Sequence, residues 1–180
     1  MGASVTAVCL SQDHTFSKGS QYSIRLLTGE GVAGDAHCGK YVQHVHHKKI
    51  DASQPNLRQV HIIQAELHDE LQSAGLNVAP GQMGENITIR GVDIISLPLG
   101  TRLKIGSTAV VELTGLRSTC AKLNKIHSGL LKAVQPYDHN GNVMPRAGVM
   151  SIVVRGAEVR PGDPIQVELP NYPHQPLPVL

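Results

Sequence analysis

Short apolar runs, each bounded by glycine or proline, recur along most of the chain, and they constrain the fold more than any other sequence feature. Some runs alternate apolar and polar residues and others are continuously apolar, as strands with one or two buried faces are. Their spacing of about ten residues is typical of a barrel or closed sheet and not of a doubly wound sheet. We therefore predict a mainly β fold with two or three helices, closed like a β-barrel. The strand-like runs lie at 4–10, 21–27, 58–64, 85–97, 101–116, 149–156 and 159–170.

Two segments have the periodicity of helices. Residues 65–76 place Leu67, Leu71 and Ala74 on one face, and Gly75 is a natural stop for that helix. Residues 120–134 repeat apolar residues at helical spacing, and we expect Gly129 to weaken or divide this second helix.

The length of 180 residues suits one domain with a sizeable core. We predict a single domain over residues 1–170, followed by a proline-rich tail at 171–180 that lies extended on the surface. Residues 28–56 have little periodicity, and an irregular connection of that length in a compact domain is usually functional or disordered.

Composition argues against several classes of protein. The net charge of +2 is too small to indicate a nucleic-acid-binding protein. No run of 18 apolar residues is present, so we expect no membrane span. Three cysteines, an odd count without regular spacing, argue against a disulfide framework and for a reducing compartment. We therefore expect a cytoplasmic protein.

Cys120 is the first candidate for chemistry. It begins the predicted helix at 120–134, and Arg117 and Lys122 lie close to it in the sequence. Unpaired N–H groups at a helix start and nearby cations both favour a thiolate, which is the nucleophilic and metal-binding form. The alternative is a buried cysteine that acts as a small hydrophobic residue. These residues alone leave the choice open.

Four segments, in order, resemble the MOSC domain family, named for the C-terminal domain of molybdenum cofactor sulfurases. "GVAGDAHCG" is similar to the family's early Gly-Asp-x-His loop, and "GQMGENITIRGVDIISLPLGTRLKIGSTAVVELTG" to its Gly-Glu-Asn strand and the run that follows. "VELTGLRSTCAKLNKI" resembles the cysteine segment, in which an arginine precedes the cysteine by three residues. "RAGVMSIVVRGAEVRPGDPIQV" resembles the closing strands. Many relatives have proline before the cysteine, where this chain has Thr119.

The resemblance implies a small stand-alone MOSC protein with a barrel-like fold that binds a molybdenum cofactor of the molybdopterin type or a related ligand. It implies Cys120 as a persulfide sulfur carrier or a metal ligand, with Arg117 as its catalytic partner, in a sulfur transferase or a molybdenum-dependent oxidoreductase. The partners expected are this small ligand and a sulfur-donor protein. The residues expected to hold the cofactor are Arg117, Lys122, Asn124, Gly84, Glu85, Asn86 and Arg146.

Two of these assignments have structural alternatives. Gly81 and Gly84 allow a tight turn or a close approach to a ligand, and Glu85 and Asn86 then either orient the ligand or form hydrogen bonds with neighbouring turns. Arg146 either reaches an anion from a strand edge or is an ordinary surface arginine.

Imidazole and thiol groups cluster at 34–49, where five fall within eleven residues: His37, Cys38, His44, His46 and His47. Such groups are ligands of zinc and copper, so His37, His44 and His46, together with Cys120, are candidate metal ligands. His37 is the strongest of these, because the Asp35 carboxylate can orient its ring. The alternative for the cluster is a mobile, solvated loop.

Two further functions therefore remain open beside the first. One is a hydrolase or lyase that uses zinc or another transition metal bound by the His-rich loop at 37–47. The other is a non-catalytic module that binds a small ligand on a similar scaffold.

Overall fold

The computed structural model describes residues 2–43 and 49–180. Its strands are β1 (Ser4–Leu10), β2 (Gly19–Gln21), β3 (Ile24–Leu27), β4 (Gly31–Val32), β5 (Val60–Gln64), β6 (Ile87–Arg90), β7 (Arg102–Ile105), β8 (Ala109–Leu116), β9 (Val149–Arg155), β10 (Glu158–Val159) and β11 (Ile165–Glu168). Its α-helices are α1 (Ala65–Ser73) and α2 (Leu130–Ala133), and two short 3-10 helices span Ile94–Ser96 and Ala121–Lys125. The predicted mainly β class with two helices is thus confirmed.

One large sheet organises the molecule. It has eight strands in the order β11-β7-β8-β9-β5-β6-β1-β2, and a smaller sheet has the order β10-β3-β4. The pairing of β5 with β6 is parallel, since α1 crosses between these two strands; the other pairings of the large sheet are antiparallel. Alternate residues of β8 and β9 are buried, which is the pattern of strands that cover a core with one face.

The predicted barrel closure is wrong, because both sheets are open. The two ends of the large sheet approach each other between β1 and the start of β11, where Ser4 and Pro164 form an isolated antiparallel bridge. The Val5 N–H donates to the Asp163 carbonyl at 2.9 Å on one side of this bridge. On the other side the Ile165 N–H donates to the Ala3 carbonyl at 2.9 Å, and the contact stays an isolated bridge between sheet ends that do not pair as strands.

The helix predicted at 120–134 is also wrong as a single element. Residues 121–125 form a 3-10 helix, and α2 begins only after Gly129. Gly129 has φ +89°, a left-handed conformation that a residue inside an α-helix cannot adopt. The expectation that this glycine divides the segment is therefore confirmed, as is the stop after α1, where Gly75 has φ +79°.

The segment 171–180 packs against the sheet. The Leu116 N–H donates to the Pro178 carbonyl at 2.7 Å, and the Leu180 N–H donates to the Leu116 carbonyl at 3.0 Å. Leu177 is buried in the main core. The segment thus covers the end of β8, directly before Arg117. Among the described residues, no helix is long and apolar enough to cross a membrane.

Gly115 makes this packing possible, and we expect Gly115→Ala to displace the segment. A Cβ atom there would lie 2.6 Å from the Pro178 carbonyl oxygen and 2.5 Å from Leu180 Cγ. We expect a loss of about 1–3 kcal/mol in the free energy of unfolding, and faster hydrogen exchange at the amides of Leu116 and Leu180. Gly19→Ala is the control, since its Cβ would meet atoms only at 3.8 Å. Unchanged exchange at Leu116 would contradict this role for the segment.

Candidate functional site

Cys120 lies at the edge of a cavity of about 580 Å³. The cavity lies beside the middle of the large sheet, where β5 and β9 each contribute one residue, His61 and Met150. The segments 14–18, 37–43, 56–58 and 83–86 line the rest, together with residues 117–122, which follow β8. Long-range pairing in the sheet therefore brings together side chains that are far apart in the sequence.

Cys120 differs from the other two cysteines in its access to solvent. Cys9 is buried, Cys38 is half-buried and Cys120 is exposed, and all three are free thiols. Burial, with the Glu85 charge, raises the pKa of Cys9 to about 11, so its thiol stays protonated. Cys120 has extended backbone angles (φ −144°, ψ 162°) and precedes a 3-10 helix of only five residues. The support from a long helix that the sequence predicts at Cys120 is therefore absent.

Arg117 is the cation best placed to act with Cys120. Its guanidinium carbon lies 5.3 Å from the centre of the Phe16 ring, a cation–π arrangement that fixes the side chain. Burial lowers the pKa of Arg117, while the charges of Cys120 and Glu85 oppose that shift. Its Nη1 atom is buried without a hydrogen-bond partner. A buried, unpaired donor on a charged group is costly, and an anion at this site would satisfy it.

The buried carboxylate of Asp35 lies behind one wall of the cavity and binds residues that line it. It forms an ion pair with Lys18 and accepts hydrogen bonds from Asn86 Nδ2 at 3.0 Å and from the His37 backbone N–H at 2.9 Å. Burial would raise the pKa of Asp35, but the hydrogen bond from His37 and the charge of Lys18 outweigh it and hold that pKa well below its usual range. The predicted contact between Asp35 and the His37 ring is confirmed, at 3.2 Å from Oδ1 to Nδ1. His37 lines the cavity.

Residues 84–86 form close contacts and hydrogen bonds inside the protein. Glu85 is fully buried and accepts a 2.7 Å hydrogen bond from the Gly81 N–H, although its Oε2 atom has no partner. Asn86 lines the cavity, but its amide is engaged by the Cys9 carbonyl, Asp35 and the His61 N–H. Gly84 also lines the cavity and has φ +89°, and a Cβ there would lie 2.8 Å from the Phe16 carbonyl oxygen. These contacts favour the structural alternative for Glu85 and Asn86.

Of the three other residues predicted to hold the cofactor, only one lines the cavity. Lys122 is exposed and lines the cavity. Asn124 does not line it; its Oδ1 accepts a 3.0 Å hydrogen bond from the Leu131 N–H and so caps α2. Arg146 pairs with Glu70 of α1 at 2.7 Å and is not among the residues that border the cavity. The structure therefore brings Lys122 to Cys120's cavity, but not Asn124 or Arg146.

The predicted metal ligands are only partly placed. His44 and His46 lie outside the described residues. Within residues 2–43 and 49–180, no three His, Cys, Asp or Glu side chains are grouped so that they could hold a metal ion. His37 and Cys120 border the same cavity, as do His14 and His61, but these four side chains do not form such a group.

Four residues that line the cavity were not predicted from the sequence as site residues: Phe16, Lys18, Arg58 and His61. Phe16 is the only phenylalanine in the chain, and that was the one signal available for it. His61 lies within a predicted apolar strand, where its side chain reads as part of the core. Burial, with the positive charge of Arg117, lowers its pKa to about 3, and its Nε2 lies 2.7 Å from the Ala147 carbonyl, to which the neutral ring donates.

Comparison with known proteins identifies the fold. A family model described as MOSC domain matches residues 34–166. The structure of the YuaD protein from Bacillus subtilis is similar to this chain with a TM-score of 0.78 and 21% identity, covering 95% of this chain and 98% of that one. YiiM from Geobacillus stearothermophilus gives 0.65 and 16%, covering 97% and 79%, and YiiM from Escherichia coli gives 0.59 and 19%, covering 95% and 72%. No curated protein matches the chain.

Because His61 is buried and neutral, we expect the free energy of unfolding to depend on pH. The unfolded chain binds a proton at this imidazole below about pH 6.5, whereas folded His61 does so only near pH 3. Its stabilising contribution is therefore complete above pH 6.5 and is lost as the pH falls, with a slope of up to about 1.4 kcal/mol per pH unit.

In His61→Gln we expect this part of the slope to disappear, because glutamine keeps an N–H donor but does not titrate. Urea unfolding between pH 4 and 7 measures it, with exposed His139→Gln as the control. An equal slope in wild type and His61→Gln would contradict the prediction.

Proposed function

Because the chain belongs to the MOSC domain family, we propose that its cavity binds a molybdenum cofactor or a related phosphorylated pterin beside Cys120. One observation carries the proposal: an exposed thiol shares the cavity with Arg117 and Lys122, and none of the described residues that line it is acidic. A cavity of this charge favours an anionic ligand, and a thiolate is a suitable ligand for a soft metal or a carrier for sulfur.

The residues fit such a ligand. Arg117 offers a buried, unpaired Nη1, and its planar fork matches two oxygens of a phosphate. Lys122 adds a compact charge at the exposed side of the cavity. When bound, the cofactor would supply a redox-active metal centre with affinity for sulfur.

The protein's own residues give the cavity its shape and hold its walls in place. Phe16 and Met83 give the cavity apolar surface, while Asn86 and Asp35 keep its wall fixed through hydrogen bonds. His61, neutral by burial, adds no charge to the floor of the cavity. Cys120 is left as the exposed nucleophile.

For sulfur transfer, we propose a protein persulfide as the donor. The Cys120 thiolate attacks the outer sulfur of the donor persulfide and forms a new S–S bond, while the donor's own S–S bond breaks and its cysteine leaves as a thiolate. Cys120 then holds the outer sulfur as its own persulfide, with no net oxidation. The three cysteines of the protein are free thiols, which is consistent with a reducing compartment such as the cytoplasm.

Cys120→Ser tests the sulfur role. After incubation with a persulfide donor, we expect wild type to gain about 32 Da on the peptide that contains Cys120, the mass of one sulfur atom. Peptide mass spectrometry should detect no such gain in the variant, whose hydroxyl cannot hold sulfane sulfur. Cys38→Ser is the matched control and should label like wild type. Labile sulfur that persists in Cys120→Ser would disprove the assignment.

Arg117→Lys tests the cofactor role. The charge remains but the planar fork is lost, so we expect the pterin content of the purified protein to fall about tenfold, in line with the loss of a charge-assisted contact. Fluorescence of the oxidised pterin measures that content, and Arg155→Lys, an exposed residue outside the cavity, is the control. Equal pterin in wild type and Arg117→Lys, or stoichiometric zinc instead of molybdenum, would refute the proposal. An inert Cys120 in a protein that binds pterin would favour the non-catalytic binding module.

A further inference from the structure

Arg58 is a second arginine of the same cavity, and the proposed function leaves it without a task. Its side chain is half-buried and lines the cavity. Burial lowers the pKa of this guanidinium below its ordinary value. Among the described residues, no carboxylate pairs with it and no hydrogen bond from its side chain is found.

The backbone of Arg58 is held firmly in place. The Arg58 N–H donates to Asn56 Oδ1 at 3.0 Å, and Asn56 Nδ2 donates to the carbonyls of His37 and Gly39 at 3.0 and 2.9 Å. Asn56 is itself buried. The segment that carries Arg58 is thus fixed to the loop that carries His37, which places the Arg58 side chain among the residues that line the cavity.

The charges of the cavity divide into paired and unpaired groups. Lys18 also lines the cavity, but its charge is compensated by Asp35. Arg117 and Lys122 are the cations beside Cys120, and Arg58 comes from a different segment, before β5. Partial removal of a guanidinium from water without a partner costs free energy, which an oxyanion in the cavity would recover.

We infer that Arg58 binds a second anionic group of the ligand, so that the cavity is built for a ligand with two oxyanion groups. This inference rests on the proposed site beside Cys120, where Arg117 and Lys122 hold the first group. The ligand class it defines is a small molecule with two phosphate or carboxylate groups, and Arg58 is the residue that distinguishes it from a ligand with one.

Protection of Cys120 against alkylation tests this inference without the cofactor. Iodoacetamide is neutral, and mass spectrometry of the Cys120 peptide gives the alkylation rate at increasing concentrations of inorganic phosphate or tripolyphosphate, at constant ionic strength. Phosphate offers one anionic group, whereas the two ends of tripolyphosphate offer separate ones. We expect both to protect the wild-type thiol, and tripolyphosphate at lower concentrations.

In Arg58→Gln we expect the concentration of tripolyphosphate needed for protection to rise about tenfold, the effect of one lost charge-assisted hydrogen bond. Protection by phosphate should change by less than about twofold. Arg117→Gln should weaken both, and Arg155→Gln, which removes a charge outside the cavity, should weaken neither.

Unchanged protection by tripolyphosphate in Arg58→Gln would overturn the inference. An equal loss with phosphate would also overturn it, because Arg58 would then belong to the first anion site. The outcome is separate from the proposed function, since alkylation needs only the thiol: a Cys120 that carries no sulfur would leave this result standing.

Discussion

The buried carboxylate of Asp35 is the group on which the site depends most. A carboxylate in the interior is stable only when it is paired and hydrogen-bonded, and Asp35 obtains its partners from three different segments: Lys18, the His37 backbone and ring, and Asn86. Each of these partners borders the cavity. The requirement to satisfy one buried charge therefore fixes the relative positions of three segments that line the cavity together with Cys120.

The remaining wall is positioned by the sheet and by the chain's last residues. Strands β8 and β9 pair up to Leu116 and Val149, after which the Arg117 N–H donates to the Gly148 carbonyl. On its other side, Leu116 exchanges hydrogen bonds with the segment 171–180. Cys120 follows three residues after Arg117, so the segment that carries it leaves a strand that is held on both sides, while its own backbone is irregular. An exposed thiol on a firmly held segment is consistent with the role proposed for Cys120, since a functional group acts best when rigid elements position it.

The cavity has more positive than negative charge at its surface. Its acidic neighbours, Asp35 and Glu85, are buried and committed to internal partners, whereas Arg58, Arg117 and Lys122 border the open space. Burial keeps His61 neutral, but the guanidinium groups of Arg58 and Arg117 stay charged despite their burial, because an arginine does not lose its proton within the accessible pH range. The cavity is therefore cationic, and this property is what makes anionic ligands the natural class for both proposals.

The sequence by itself determined the strand-rich class, the helix α1, the break at Gly129 and the interest of Cys120 and Arg117, because these depend on periodicity, on glycine and on neighbouring residues. It also placed Asp35 beside His37, since only Ala36 separates them. Only the tertiary structure decided that the sheets stay open, that Arg146 pairs with Glu70 and that Phe16, Arg58 and His61 line the same cavity as Cys120. The physical reason is that strand register and the partners of buried charges are set by contacts between distant segments, which local sequence patterns do not encode.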